Sequence, residues 1–272
     1  MARGRTVPIV TLLSDFGSSS PYPGEVRGVL VRASRAVVVD LTHDIPRHDV
    51  ACGAAVLAAA APAFPLGTVH LAVVDPEVGT ARRGLVIASG GQWFVGPDNG
   101  LLVPAATAVG RLQAFAIDTA RLVRDLPSAT FHGRDVFAPA AAAVASGVPP
   151  EAFASPIAAP VAPPLEAPSR TPTRLSGRVV YCDPFGNLVT DIPGAWLDDL
   201  PDRVALVYRG GRTPVRRART YADGAQGEVI ALVGSARTVE IAVNRGDAAA
   251  QLGVRAGDRI ALEVRAARRT RR

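Results

Sequence analysis

Residues 69–83 read VHLAVVDPEVGTARR, and the order of residue types in that stretch sets the architecture. Residues 69–74 form an apolar run with one histidine, of a length and β-branched content that suit a buried strand. The run ends on the carboxylate of Asp75, turns through Pro76 and Gly79, and delivers Arg82 and Arg83. In an open parallel sheet, ligands sit just beyond the carboxyl ends of the strands. An acid at a strand exit can pair with an arginine that returns across such a turn. The pair either braces a loop or holds a carboxylate ionised and aimed for chemistry, and this stretch alone allows both.

Working outward, residues 7–13 are a continuous apolar strand that ends in Ser14-Asp15-Phe16-Gly17. Residues 25–34 have helical spacing, with Val26, Val29 and Leu30 on one side. Residues 36–39 read as a second buried strand exiting on Asp40, followed by an Ala-rich helix to about Pro62. Three strands thus deliver Asp15, Asp40 and Asp75 to one sheet edge, as a binding site or, for some of them, as helix caps. Helices between the strands make this a βαβαβ arrangement with parallel strands. Residues 147–174 carry eight prolines, which stop helices and central strands, so an extended linker is expected. Beyond it, short strands at 177–181, 188–192, 204–208, 228–233, 239–243 and 260–264 surround one helical turn at 248–252. They predict a small antiparallel β-barrel or sandwich. The expected fold is therefore α/β. It has an N-terminal α/β domain with a largely parallel sheet (1–148), a linker (149–174), a smaller C-terminal β-barrel domain (175–264) and a basic tail (265–272).

The 272 residues suffice for a substantial core, and 48% are hydrophobic, yet no uninterrupted apolar run reaches spanning length. The first apolar run leads directly into the Ser14–Gly17 loop, so it reads as a strand and not a signal peptide, and a cytoplasmic protein without membrane contact is expected. Cys52 and Cys182 have no metal-like spacing and do not suggest a disulfide framework. All thirty basic residues are arginine. That excludes a Schiff-base lysine, a pyridoxal-phosphate anchor and a P-loop lysine. The net charge is +6, but five arginines fall in the last eight residues, so the body is close to neutral and nucleic acid is not an expected partner.

His43-Asp44 and His48-Asp49 resemble a metal set, but Pro46 between them breaks a shared helix, and no metal is expected. His70 lies within a strand and reads as a core histidine. His132 precedes Gly133 at the start of an apolar helix, where an imidazole can donate or accept. Asp183-Pro184-Phe185-Gly186-Asn187 is either a plain β-turn or a platform, with Phe185 stacking on a base and Asn187 bonding its edge. No Gly-rich dinucleotide fingerprint follows the first strand.

Several segments together carry a resemblance. They are SDFG (14–17) with Tyr22 and Gly24, LTHDIPRHDV (41–50), VVDPEVGT with Arg82, GPDNGLL (96–102), FHGRDVFAP (131–139), DPFGNLVTDI (183–192) and GSARTVEIAVNRGDAA (234–249). The chain resembles the S-adenosyl-L-methionine (SAM) hydroxide adenosyltransferases, the adenosine-forming SAM hydrolases related to fluorinase and chlorinase. The resemblance implies hydrolysis of SAM to adenosine and L-methionine by water attacking ribose C5′, with SAM as substrate, no cofactor and no metal. It implies a homotrimer with sites at subunit interfaces. It assigns water activation to Asp75, Arg82 and His132, and contact with the ribose diol to Asp15. Further substrate-binding positions are Phe16, Tyr22, His48, Asn99, Gly133, Asp183, Phe185, Asn187, Ser235, Glu240 and Val243. Ser20 stands where many members carry an acid. The halogenases carry hydroxyl-bearing or aromatic residues in place of Asp75, so hydrolysis is favoured over the alternatives, a SAM-dependent halogenase or a non-catalytic SAM or adenosine binder.

Overall fold

Apolar strands alternating with apolar-striped helices must bury both sheet faces, and the chain does this in the first of its two compact units, Met1–Pro164 and Leu165–Arg272. The structure, a computed structural model, describes residues 7–162 and 167–264. The first unit runs β1 (Ile9–Ser14), α1 (Tyr22–Ala33), β2 (Val37–Thr42), α2 (Val50–Ala60), β3 (Val69–Val73), β4 (Gly84–Ser89) and β5 (Gln92–Pro97). It continues with α3 (Val103–Val109), β6 (Gln113–Ile117), α4 (Thr119–Leu122), a π-helical turn at Gly133–Phe137, α5 (Ala138–Ala145) and β7 (Ala154–Ile157). Among the described residues the sheet order is β2-β1-β3-β5-β4-β6-β7. The pairings from β2 through β5 are parallel, and those made by β4, β6 and β7 are antiparallel.

Val10 and Leu12 of β1 and Leu71 of β3 bury against Val26 and Leu30 of α1 and the alanines of α5. Leu13 alternates to the opposite face, where α2 lies close: a Cβ on Gly53 would come within 2.9 Å of Leu101 and 3.1 Å of Val74. Because β1 and β3 are parallel neighbours with Ser14 opposite Val73, Asp15 and Asp75 leave adjacent strands at the same edge.

Two expectations are corrected. Strand β2 is not buried and does not end at Asp40. It is the sheet's edge, with Val37 and Asp40 exposed, and Asp40 pairs in register with Leu12. An edge position lets that carboxylate accept from Arg27 of α1 and from His43. The proline-rich stretch is not linker throughout, because 154–157 form β7, the antiparallel edge partner of β6. Pro156 fits there since an outward-facing edge position needs no N–H donor. Residues 163–166 of that stretch and the basic tail at 265–272 lie outside the described residues.

The second unit contains β8 (Ser169–Thr171), β9 (Arg174–Cys182), β10 (Leu188–Pro193), β11 (Arg203–Tyr208), β12 (Gly211–Arg217) and β13 (Val229–Val233). Then follow β14 (Thr238–Val243), α6 (Ala248–Leu252) and β15 (Arg259–Glu263). The order β10-β14-β13-β12-β11-β15-β9 closes on itself through β9–β10, giving a seven-stranded barrel with β8 appended to β9. Strand β12 is an addition to the sequence reading, and its pairing with β13 is parallel, so the barrel is not wholly antiparallel. Among the described residues no helix is long and apolar enough to cross a membrane.

His70 is the core histidine expected. Its Nδ1 lies 2.8 Å from Thr11 Oγ1, its Nε2–H points at Gln92 Oε1 at 3.3 Å, and its ring stacks on Phe94. Burial pushes its pKa down from 6.5 to about 4. A folded pKa below the unfolded one means its contribution is complete above pH 6.5 and is lost as pH falls through 4. We expect the stability lost between pH 7 and pH 4, measured by urea unfolding, to be about 3 kcal/mol smaller in His70→Gln than in the native sequence. Equal losses in the two proteins would show that the imidazole is not the group responsible.

Candidate active site

The loop that leaves β3 is shaped by local interactions before any ligand is considered. Asn99 Nδ2–H donates to the Val74 carbonyl at 2.9 Å, and Asn99 Oδ1 accepts from the Leu101 N–H. Those bonds fix the strand exit that carries Asp75. Gly79 adopts φ +81°, and a Cβ there would lie 2.6 Å from the Ala129 carbonyl oxygen, so the loop rests directly on residues 128–130. The turn returns Arg82 to Asp75. Arg82 Nε donates to Asp75 Oδ1 at 2.9 Å and Oδ2 at 3.1 Å, and Nη2 also donates to Oδ2. The two side chains are only 6% and 5% exposed, which sets this pair apart from a surface salt bridge. The guanidinium also lies over the Phe137 ring, 4.9 Å from its centroid.

The same Nη2 reaches His132 Nδ1 at 2.9 Å. A guanidinium has only donors, so Nδ1 must accept, which assigns the neutral imidazole with its proton on Nε2. Burial disfavours the imidazolium and Arg82 repels it, and together these hold the His132 pKa below 6.5 against the opposite pull of Asp75 and Asp135. The three residues assigned to water activation therefore form one hydrogen-bonded chain: an acceptor carboxylate, a buried fixed cation and a neutral imidazole with its proton on Nε2.

Asp15 sits on the neighbouring strand exit. Its Oδ2 accepts from the His48 backbone N–H at 2.9 Å, and His48 takes the left-handed φ of +66° that presents this donor. The exposed His48 side chain makes no hydrogen bond among the described residues. Phe16, Tyr22 and Phe131 pack edge to face, with centroids 5.2–6.1 Å apart. Phe16 covers Gly133, where a Cβ would stand 3.0 Å from the Phe16 ring, so the Asp15 loop and the His132 turn are neighbours.

The groups that looked like a metal set go to separate tasks. Buried His43 bonds Ser14 Oγ through Nδ1 and donates to Asp40 through Nε2. Asp44 accepts from the Ser18 N–H and hydroxyl, and Asp49 caps α2 through the Cys52 N–H. Among the described residues no cluster of three or more His, Cys, Asp or Glu is placed to hold a metal.

In the barrel unit, Asp183, Phe185, Asn187 and Val243 line a cleft of about 680 Å³, within the range of small-molecule sites. Asp183 Oδ1 accepts from the N–H groups of Phe185 and Asn187, and its Oδ2 from the Asn187 amide, which holds Phe185 outward at 77% exposure. Tyr221, Arg245, Gly246 and Asp247 also line it and were missed. The Thr220–Asp223 capping box was a legible signal of a tight turn at Tyr221. Glu240 lies buried behind the wall and accepts from the Tyr221 hydroxyl at 2.6 Å; burial and Asp183 push its carboxyl up. Ser235 is exposed on the β13–β14 turn and does not line the cleft.

Comparison with known proteins identifies the family to which both units are similar. Residues 10–154 match the family SAM hydroxide adenosyltransferase N-terminal domain, and residues 177–261 its C-terminal domain. The chain is 43% identical over 259 residues to the (R)-S-adenosyl-L-methionine hydrolase of Salinispora tropica, covering 93% of this chain and 97% of the relative. It is 42% identical over 257 residues to the hydrolase of the same name from Thermus thermophilus, covering 91% and 96%. A fluorinase from Actinoplanes is more distant, at 25% identity over 92% of this chain and 95% of its own. A crystal structure of an uncharacterized conserved protein from Thermotoga maritima superposes with a TM-score of 0.87 at 34% identity, covering 94% of this chain and 100% of that one.

Proposed function

This chain belongs to the SAM hydroxide adenosyltransferase family, and from that premise we propose that it hydrolyses SAM to adenosine and L-methionine. The observation that carries the reading is the buried Asp75–Arg82 pair with half-buried His132 hydrogen-bonded to it. Water attacks ribose C5′, the C5′–S bond breaks with its electron pair going to sulfur, and methionine leaves as a neutral thioether. Such a leaving group needs no acid, so the protein's work is to orient and deprotonate one water in a dry site. Arg82 occupies one side of the Asp75 carboxylate, whose oxygens offer about four acceptor positions. The remaining side takes the water's proton. The His132 Nε2–H serves as a donor that fixes the water's oxygen. Asp15 receives the ribose hydroxyls, and Phe185 and Asn187 meet the base. The reaction as proposed uses no cofactor.

The sulfonium sulfur is a stereocentre, and the relatives' names specify the (R) form. We assign this chain the same epimer. Incubation with an epimer mixture, followed by NMR and by chromatography of the nucleoside, should show (R)-SAM disappearing first with adenosine and methionine formed one to one. A 5′-chloro nucleoside in chloride would instead make it a halogenase, and tight adenosine binding without turnover a non-catalytic binder. A cytoplasmic homotrimer with sites at its subunit interfaces belongs to the same proposal. Sedimentation giving a monomer or dimer would remove that part alone.

A further inference from the structure

The charged residues beside His132 have no part in the mechanism above, yet they tie the His132 turn to α1 and to the loop under Asp75 and Arg82. Arg134 follows His132 by two residues, at the start of the π-helical turn. Its Nε and Nη2 form a fork on Asp135, at 2.6 and 3.0 Å, and its Nη1 donates to Glu25 Oε2 of α1 at 2.7 Å, across 109 residues of sequence. Its guanidinium covers the Phe131 ring, 5.0 Å from the centroid, and so caps the cluster of Phe131, Phe16 and Tyr22. Asp135 Oδ2 in turn accepts from the Ser128 N–H, which closes the 128–135 loop. That loop supplies the Ala129 carbonyl on which Gly79, and with it the Asp75–Arg82 loop, rests.

We propose that Glu25, Arg134 and Asp135 form a positioning clamp that holds the His132 turn against α1 and sets the Arg82–His132 contact. The proposal rests on the hydrolase reading for its meaning, but its geometry stands without it. A solvent-reached ion pair contributes little to folding, so the clamp's effect should appear in the reaction and not in stability. Misplacing a reacting group by an ångström can cost about a hundredfold in rate. His132 faces Arg82 and Asp75 from the β3–β4 loop and Asp135 from its own turn.

The test uses full-length protein with Glu25→Gln and Arg134→Lys, the second keeping the charge but losing the fork. Both should fold, with Tm lowered by a few degrees at most. The kcat on SAM should fall about tenfold with KM within about twofold. The acid limb of the pH–kcat profile should move upward, toward the ordinary histidine value. Long-range 1H–15N spectra should show a single Nε2–H tautomer for His132 in the native sequence and a mixture in the variants. Unchanged kcat, or a kcat loss with acid limb and tautomer unmoved, overturns the clamp. If the native protein releases no adenosine from SAM, the functional reading fails, while the spectra still decide the clamp.

Discussion

Asp75→Asn should lower adenosine release from SAM by about a thousandfold, the scale of a lost general base. The substitution is nearly isosteric, so the β3 exit, pinned by Asn99 on the Val74 carbonyl, keeps its path. What changes is charge. Arg82, at 6% exposure, keeps its cation but loses its counter-ion, and the new amide nitrogen sets a donor against guanidinium donors. Breaking a buried pair from one side costs about 3–5 kcal/mol, so the variant should also melt earlier. A second variant separates the two effects. Replacing both residues, Asp75→Asn with Arg82→Met, removes the stranded cation and should recover most of the stability with none of the rate. Adenosine affinity, measured by calorimetry, should stay within a few-fold in the single variant because Asp15 and the barrel cleft are untouched. If Asp75→Asn kept a tenth of native turnover, the carboxylate would be only a loop brace.

The Asp75–Arg82 pair was legible because it is local: a strand, a turn with Pro76 and Gly79, and a returning arginine. Its partner His132 lies fifty residues further along the chain, and no spacing rule brings the two together; only the resemblance pointed there. Strand β2 misled because VVV reads as buried from composition alone, whereas its place at the sheet edge is a property of the whole topology. Strand β12, GRTPVRR, was invisible for the converse reason: Pro214 and three arginines mask a strand whose one fully buried side chain is Val215. Asn99, which the resemblance placed at the substrate, also bonds the backbone beside Asp75, a contact that no linear reading shows. Tyr221 and Arg245 join the cleft from separate turns, which a linear reading cannot superimpose.

Gly186→Ala should be the most damaging methyl group that can be added to the barrel unit. Gly186 takes φ +80°, a left-handed conformation that costs a non-glycine residue about 1–3 kcal/mol. Space makes it worse. A Cβ there would lie 2.1 Å from Asp247 Oδ1, the atom that caps α6 by accepting from the Ala250 N–H. The cap must move, at a cost of about 1 kcal/mol, and the bond from the Ala249 N–H to the Gly186 carbonyl is strained with it. The sum is a loss of about 2–4 kcal/mol. The damage should also reach the substrate, since residues 183–187 are the turn on which Phe185 and Asn187 are presented to the cleft. KM for SAM should rise about tenfold while kcat, set in the other unit, changes little. Gly227→Ala is the control: the same left-handed backbone at φ +78°, with nothing within 4 Å of the added methyl. It should cost about 1 kcal/mol of strain and leave KM alone. Equal destabilisation by the two substitutions, read from urea midpoints, would mean that backbone strain alone matters and that the Asp247 cap plays no part in holding the turn.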